Sequence, residues 1–338
     1  MIILKNYKRI LTLALALVIA VSCFTGCQIK KNPISVGSVN GIELTDDVYA
    51  YFMHTTETQF VQSVASPEEA NAFWDKETDG KKGIDLLRET TKEYVVSLCA
   101  LNAKAKEMNI SLTDAEKEAI KTQISSDKKA QGESAFKKYL KQLGITEETL
   151  QKAMELEYVA NKVSTKLSEE DERLIITDDE AKAYIAEKEK ITAKHILFDI
   201  TDPETGEPLS DEGKAEIKAI AQEALDKIKS GEQDFDAVMN DLSADPGLQS
   251  NPDGYFFGKG EMVKEFEDAA YALNVGQMSE LVETEFGFHI IKRVEDNLEN
   301  AKELVMQDNY EIVIDELTKD AKIELNEKVI NKIKPIKY

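Results

Sequence analysis

The chain has 338 residues, enough for two or more domains with hydrophobic cores of their own. Forty-two Lys and Arg stand against 64 Asp and Glu, a formal charge of -22, so a nucleic-acid backbone is repelled rather than bound, and no basic patch offsets this. The acidic balance favours solubility and suppresses non-specific association.

At the N-terminus, Lys5, Lys8 and Arg9 precede an apolar run from Ile10 to Val21 that is short for a spanning helix and ends in small residues. That is the layout of a secretory signal peptide, assigned to residues 1–26. Residues 24–27, FTGC, resemble a lipoprotein processing box, in which the cysteine becomes the first mature residue and its thiol carries a diacylglycerol. On that resemblance Cys27 is the lipid-attachment site, although Phe24 stands where an aliphatic residue is usual. Ala20, Val21, Ser22 and Cys23 form a competing box with the same topological outcome. Two buried acyl chains, at about 0.8 kcal/mol per methylene, anchor a protein without a transmembrane helix. Cys99 then stands alone in the mature chain, which excludes a disulfide framework and reads as a core residue.

After a polar tether, residues 34–45 (ISVGSVNGIELT) read as two short strands around an Asn-Gly turn. Thr45 or Asp46 caps a helix, and Pro67 restarts one after a break. From Ile84, apolar positions recur at Leu87, Tyr94, Val95, Leu98, Leu101 and Ala105, a helical spacing held for several turns. Thr113 with Glu116, Thr146, and Thr177 with Glu180 signal three further helix starts. His54 lies on the first of these helices and is expected at the surface or partly buried.

The pattern changes at residue 191. ITAKHILFDI alternates and is β-branched; a turn-rich loop, a helix to Lys229, a short helix at DFDAVMNDL, a long loop, a strand at YFFGKGEM and a helix at VKEFEDAAYAL follow in order. Two strands around LVETEFGFHIIKRV complete a β-α-α-β-α-β-β order over residues 191–294, a compact α+β domain. In EFGFHIIKR, period two puts Phe286, Phe288 and Ile290 on one face and Gly287, His289 and Ile291 on the other, so both faces are largely apolar and the strand is covered on both sides. From Leu298 to Ile333 the chain reads as helical. This C-terminal segment, 295–338, is expected to pack on the N-terminal helices of 27–190, with the α+β unit inserted between them.

His195 in AKHIL, Asp245 in LSADPG, the run GKGEMVKEFEDAAYAL and TEFGFHIIKR together resemble the parvulin family of peptidyl-prolyl cis/trans isomerases. The flanks, SVGSVNGIELT followed by helices and ITDDEAKAYIAEKE ahead of the domain, resemble the chaperone shell of PrsA-type foldase lipoproteins and of SurA-type chaperones. The resemblance implies a parvulin-type βααβαββ domain inserted in a helical chaperone-like domain. It also implies paired histidines, His195 and His289, hydrogen-bonded to each other on adjacent strands, with Asp245 beside the bond being rotated. Met262, Phe266, Phe286 and Phe257 form the implied proline pocket; spacing adds that Met262 and Phe266, four apart at a helix start, share a face.

Isomerisation breaks no bond, so no metal or cofactor is expected. The implied partners are unfolded secreted polypeptides and, through the lipid, the membrane; the family type points to the outer face of a Gram-positive cell membrane. One departure stands out. Where most parvulins carry Gly-Gly-Asp-Leu-Gly ahead of an aromatic pair, this chain has Asn251, Pro252, Asp253, Gly254 and Tyr255 ahead of Phe256 and Phe257, and a gapless reading puts Gly254 where leucine lines the pocket. That leaves open a second reading, a non-catalytic holdase that uses the parvulin unit only for client binding. A solute-binding lipoprotein would show repeated βαβ lobes, which are missing.

Overall fold

The computed structural model describes residues 32–61, 66–78, 80–203 and 205–337. Cys23 and Cys27 lie outside the described residues. The described residues fall into two compact units, one made of those up to 175 together with those from 307 onward, the other of those from 176 to 306.

In the first unit, β1 (Ser35–Val39) and β2 (Ile42–Thr45) form an antiparallel hairpin. Its two-residue turn, Asn40 and Gly41, takes positive φ at both positions, the conformation that Asn-Gly adopts most readily. Then come α1 (Asp46–Val61), α2 (Pro67–Phe73), the two-residue strands β3 (Glu77–Thr78) and β4 (Lys81–Lys82), α3 (Gly83–Glu107), α4 (Asp114–Gln131), α5 (Glu133–Leu143) and α6 (Glu147–Glu170). Capping boxes at Thr113 and Thr146 start α4 and α6, as their sequences predict. Helix α5 is not foreseen, because its N-terminus at Gly132 has no side-chain cap to announce it. Leu44, Phe52, Leu98, Cys99, Leu101, Ile120, Phe136 and Val163 form the buried core. His54 is 6% exposed, more buried than expected; its Nδ1 lies 2.8 Å from the buried carboxylate of Glu57, which also accepts the backbone N–H of Ile336.

The second unit opens with α7 (Asp178–Glu187), again on a threonine capping box at Thr177. There follow β5 (Ile191–Asp199), α8 (Asp211–Lys229), α9 (Phe235–Leu242), β6 (Tyr255–Phe257), α10 (Lys264–Tyr271), β7 (Val282–Thr284) and β8 (Gly287–Val294), the β-α-α-β-α-β-β order read from the sequence. The four strands make one antiparallel sheet in the order β6-β5-β8-β7, with β5 and β8 at its centre. One face carries Ile196, Phe198, Phe288 and Ile290 against α8 and α9; the other carries Ile191, Ala193 and Ile291 against Phe257, Phe266 and Ala270. The central strands are therefore covered on both sides, which is why β8 reads as a nearly continuous apolar run. Against the outer end of the unit, Ala181 and Ile185 of α7 pack with Phe256, Leu298 and Ala301.

The division between units falls within α11 (Leu298–Lys319). Beyond it the chain departs from the single helix expected to Ile333. It forms β9 (Ile323–Leu325), which pairs antiparallel with β1, and the one-turn helix α12 (Glu327–Ile330), capped by Asn326. Val313, Ile314 and Ile330 are buried in the first unit's core. Gly37 permits the strand pairing: its φ is +108°, and a Cβ there would fall 1.7 Å from the Glu324 carbonyl oxygen. Among the described residues no helix is long and apolar enough to cross a membrane.

Candidate active site

The two central strands bring the histidines together. His195 of β5 stands opposite Ile291, and Leu197 opposite His289 of β8, so the two rings share a face at a two-residue diagonal. Their centroids are 5.3 Å apart and the planes cross at 53°. Phe266 of α10 meets both edge-on, 5.2 Å from His195 and 5.5 Å from His289. No hydrogen bond joins the histidines. Nδ1 of each ring is buried without a partner, in contrast to the mutual bond that the family resemblance implies.

Asp245 arrives from the loop after α9. That loop is tied to β5 by Ala244 N–H donating to the Leu197 carbonyl at 2.8 Å and by Leu197 N–H donating to Ser243 Oγ at 3.1 Å. The carboxylate is the focus of the site: Tyr255 donates its hydroxyl to Oδ2 at 2.7 Å and Gly247 N–H donates to Oδ1 at 3.0 Å. His195 Nε2 lies 3.1 Å from the same Oδ2, at ion-pair distance but poorly aligned for a hydrogen bond. His289 is held differently, by a 2.8 Å hydrogen bond between Nε2 and the hydroxyl of Thr284, itself buried.

These surroundings set the protonation states. Burial lowers the pKa of His195, and the nearby Asp245 carboxylate opposes this only in part. Burial and the neighbouring His195 bring His289 down to about 4. Burial would raise the Asp245 carboxyl, but the Tyr255 hydroxyl, the Gly247 N–H and His195 together outweigh it and hold the group below the ordinary carboxylate range. Tyr255 is pushed up to about 12 by burial and by its bond to Asp245. At neutral pH the cluster thus presents two neutral imidazoles, one carboxylate and one phenol, against apolar rings.

Met262, half-buried in the same apolar cluster, precedes α10 rather than lying on its first turn, because the helix begins at Lys264 with Val263 as its uncapped N-cap. The shared helix face predicted for Met262 and Phe266 does not exist, yet tertiary packing puts both in one cluster. Phe257 is 1% exposed and packs behind Phe266 at 5.9 Å, so it braces that ring from the core. Phe286 sits in the turn between β7 and β8 and is 53% exposed, outside the packed cluster.

Gly254 is not a widened pocket position. Its φ is +102° and a Cβ would meet the Ala193 carbonyl oxygen at 2.9 Å, so only glycine lets this loop pass against β5, and a leucine has no place there. Sequence reasoning missed Tyr255 and Thr284. The signal for Thr284 was its place on β7 just before the hairpin turn; for Tyr255 nothing local exists, since its partner lies ten residues away across a loop. A groove of about 550 Å³ elsewhere in this unit is lined by Lys182, Ile185, Glu189, Tyr271 and Asp296, away from the histidines. Among the described residues no group of three potential ligands is placed to hold a metal ion.

A family profile for the PPIC-type PPIase (rotamase) domain matches residues 195–295, the segment that holds every member of this cluster. The Pin1 peptidyl-prolyl isomerase of Arabidopsis thaliana is 33% identical over 117 residues, 32% of this chain and 98% of that protein. Fold, site and match define the class: a peptidyl-prolyl cis/trans isomerase of the parvulin type. The similarity extends beyond that domain. The foldase protein PrsA of Caldanaerobacter subterraneus is 28% identical over 293 residues, 84% of this chain and 82% of that one, and foldase protein PrsA 4 of Bacillus cereus is 32% identical over 219 residues, 60% and 68%. The chain belongs to the PrsA family of foldases.

Proposed function

We propose that this foldase acts outside the cytoplasm on unfolded secreted polypeptides, held at the membrane by a lipid on Cys27, and that His195, Asp245 and His289 line the site where Xaa-Pro bonds rotate. The observation that carries the site is the ring cluster itself: two neutral imidazoles and Phe266 packed edge-on or tilted, with centroids within 5.5 Å of one another, and one ionised carboxylate beside them.

Rotation about an Xaa-Pro bond faces a barrier of about 18–20 kcal/mol and uncatalysed takes tens to hundreds of seconds. The planar amide is charge-separated, with negative charge on its oxygen; the twisted amide has lost that resonance. A site that holds the proline ring against apolar side chains and sets a fixed negative charge near the carbonyl oxygen destabilises the planar form more than the twisted one. Phe266 and the half-buried Met262 grip the ring, Phe257 braces Phe266, and exposed Phe286 meets the client chain at the rim. Asp245 supplies the charge and attacks nothing. Neutral histidines keep the pocket apolar while the Thr284 hydroxyl fixes the orientation of His289.

Gly254, with a φ of +102° and no room for a Cβ beside Ala193, is a backbone requirement of the loop and lends the holdase alternative no support. The catalytic reading is tested by exchange NMR on a panel of Xaa-Pro peptides with the full chain. Wild type should speed exchange, and His289→Ala and Asp245→Ala should each lose at least about tenfold, or roughly 1.4 kcal/mol of barrier. A folded wild-type chain that accelerates none of the peptides would overturn the assignment. For the anchor, a radioactive fatty acid should label wild type but not Cys27→Ala; label that persists in the variant would move the site to Cys23.

A further inference from the structure

We propose that Tyr255 is a positioning residue of the isomerase, its hydroxyl holding the Asp245 carboxylate in place against the His195 ring. The inference rests on the catalytic reading above and adds to it a residue that the site requires because its acid is an aspartate.

The geometry is specific. Tyr255 is the first residue of β6 and pairs with Ala193, so its ring leaves the sheet edge on the same face as His195, with centroids 5.4 Å apart. From there the hydroxyl reaches Asp245 Oδ2 at 2.7 Å, the oxygen that also faces His195 Nε2. The loop opposite is shaped to admit it. A Cβ on Gly247 would stand 1.9 Å from the Tyr255 hydroxyl oxygen, so glycine at 247 is what leaves room for the bond. Gly247 in turn donates its N–H to Oδ1, and its carbonyl accepts the side-chain N–H of Asn251 at 3.0 Å. Tyr255 from the strand and Gly247 from the loop therefore converge on one carboxylate, with Asn251 holding Gly247 in place.

The physical need follows from burial. The Asp245 side chain is only 10% exposed, and a carboxylate so enclosed without donors takes up a proton or swings out to water. Among the described residues no lysine or arginine is paired with it. A charge-assisted hydrogen bond from a phenol fixes the position of the ionised oxygen without adding a positive charge beside the client's carbonyl, where a cation would stabilise the planar amide and slow rotation. The ionised Oδ2 also favours the His195 tautomer with its proton on Nε2.

The test removes the hydroxyl and keeps the ring. In the full chain, Tyr255→Phe should lower kcat/KM about ten- to a hundredfold, the scale of one hydrogen bond to a charged group, with KM little changed. The same substitution in an Asp245→Asn background should cost no more than about twofold, because the group it acts through is gone. With 13C-labelled aspartate, the carboxyl resonance of Asp245, assigned by its loss in Asp245→Asn, should titrate about one pH unit higher in Tyr255→Phe. Gly247→Ala, which displaces the hydroxyl without touching the tyrosine, should move that titration the same way. An unmoved titration, or an equal loss of activity in both backgrounds, overturns the inference. If the wild-type chain proves inactive, the catalytic reading fails, and the titration still decides whether Tyr255 holds the carboxylate.

Discussion

His289 shows how much one side chain's meaning depends on its neighbours. In EFGFHIIKR it is a histidine in an apolar alternation; in the structure it packs against the rings of His195 and Phe266 and is tied to Thr284. Gly254 makes the complementary point. Compared position by position with the family pattern it looks like a lost leucine, whereas its backbone lies in a region that side chains avoid, pressed on Ala193. Gly254→Ala should therefore destabilise the second unit by about 2 kcal/mol or more, from left-handed strain plus a backbone clash, and should not tighten the site. Urea denaturation followed by loss of isomerase activity measures it; an alanine variant of unchanged midpoint would restore the pocket explanation.

At the scale of elements, the legible features were those written in adjacent residues. Capping boxes at Thr113, Thr146 and Thr177 place three helix starts because each links residues three apart. Helix α5 lacks such a mark and went unread. Strand β9 escapes the local pattern because IEL is only three residues long and its partners on β1, Val39 to Gly37, lie 284 to 288 positions away; beside it Asn40 Oδ1 accepts the N–H of Lys322. Gly37→Ala tests that pairing. With a Cβ driven into the Glu324 carbonyl, β9 should detach from β1, and hydrogen exchange at the Glu324 and Asn326 amides, the ones that face β1, should rise at least about tenfold. Unchanged protection there would mean that the pairing does not depend on glycine.

Over the whole molecule, the two units answer acid in opposite senses. In the second, His289 titrates near 4 when folded and near its ordinary 6.5 when unfolded, so the unfolded state takes up the extra proton between those values. Stability there is lost as pH falls through that window, by about 2–3 kcal/mol at most, and the lowered Asp245 acts in the same direction further down. In the first unit, Glu157 meets only the hydroxyls of Tyr94 and Tyr51, at 3.1 and 3.4 Å; burial pushes it up to about 7, with both hydroxyls opposing. The folded state holds the extra proton, so stability is present below about 4.5 and lost as pH rises to 7, by about 1–2 kcal/mol after allowing for its partial exposure. Trp74, the chain's one tryptophan, is buried in the first unit and reports it by fluorescence. Its urea midpoint should fall from pH 5 to 7.5 while the midpoint for loss of isomerase activity rises, and Glu157→Gln should flatten the first trend alone. Parallel trends would refute the assignment.

By itself the sequence determined what depends on neighbours along the chain: the helix starts, the Asn-Gly hairpin, the βααβαββ order, and the linear series of segments that marks the parvulin class. Those features are set by bonds closing over two to four residues and by periodicity within one element. Only the tertiary structure decided what depends on approach between distant segments: the β1–β9 pairing, the position of Met262 ahead of its helix, the demand for glycine at 254, and the bond from Tyr255 to Asp245. Each of these depends on packing between groups that no local rule places side by side.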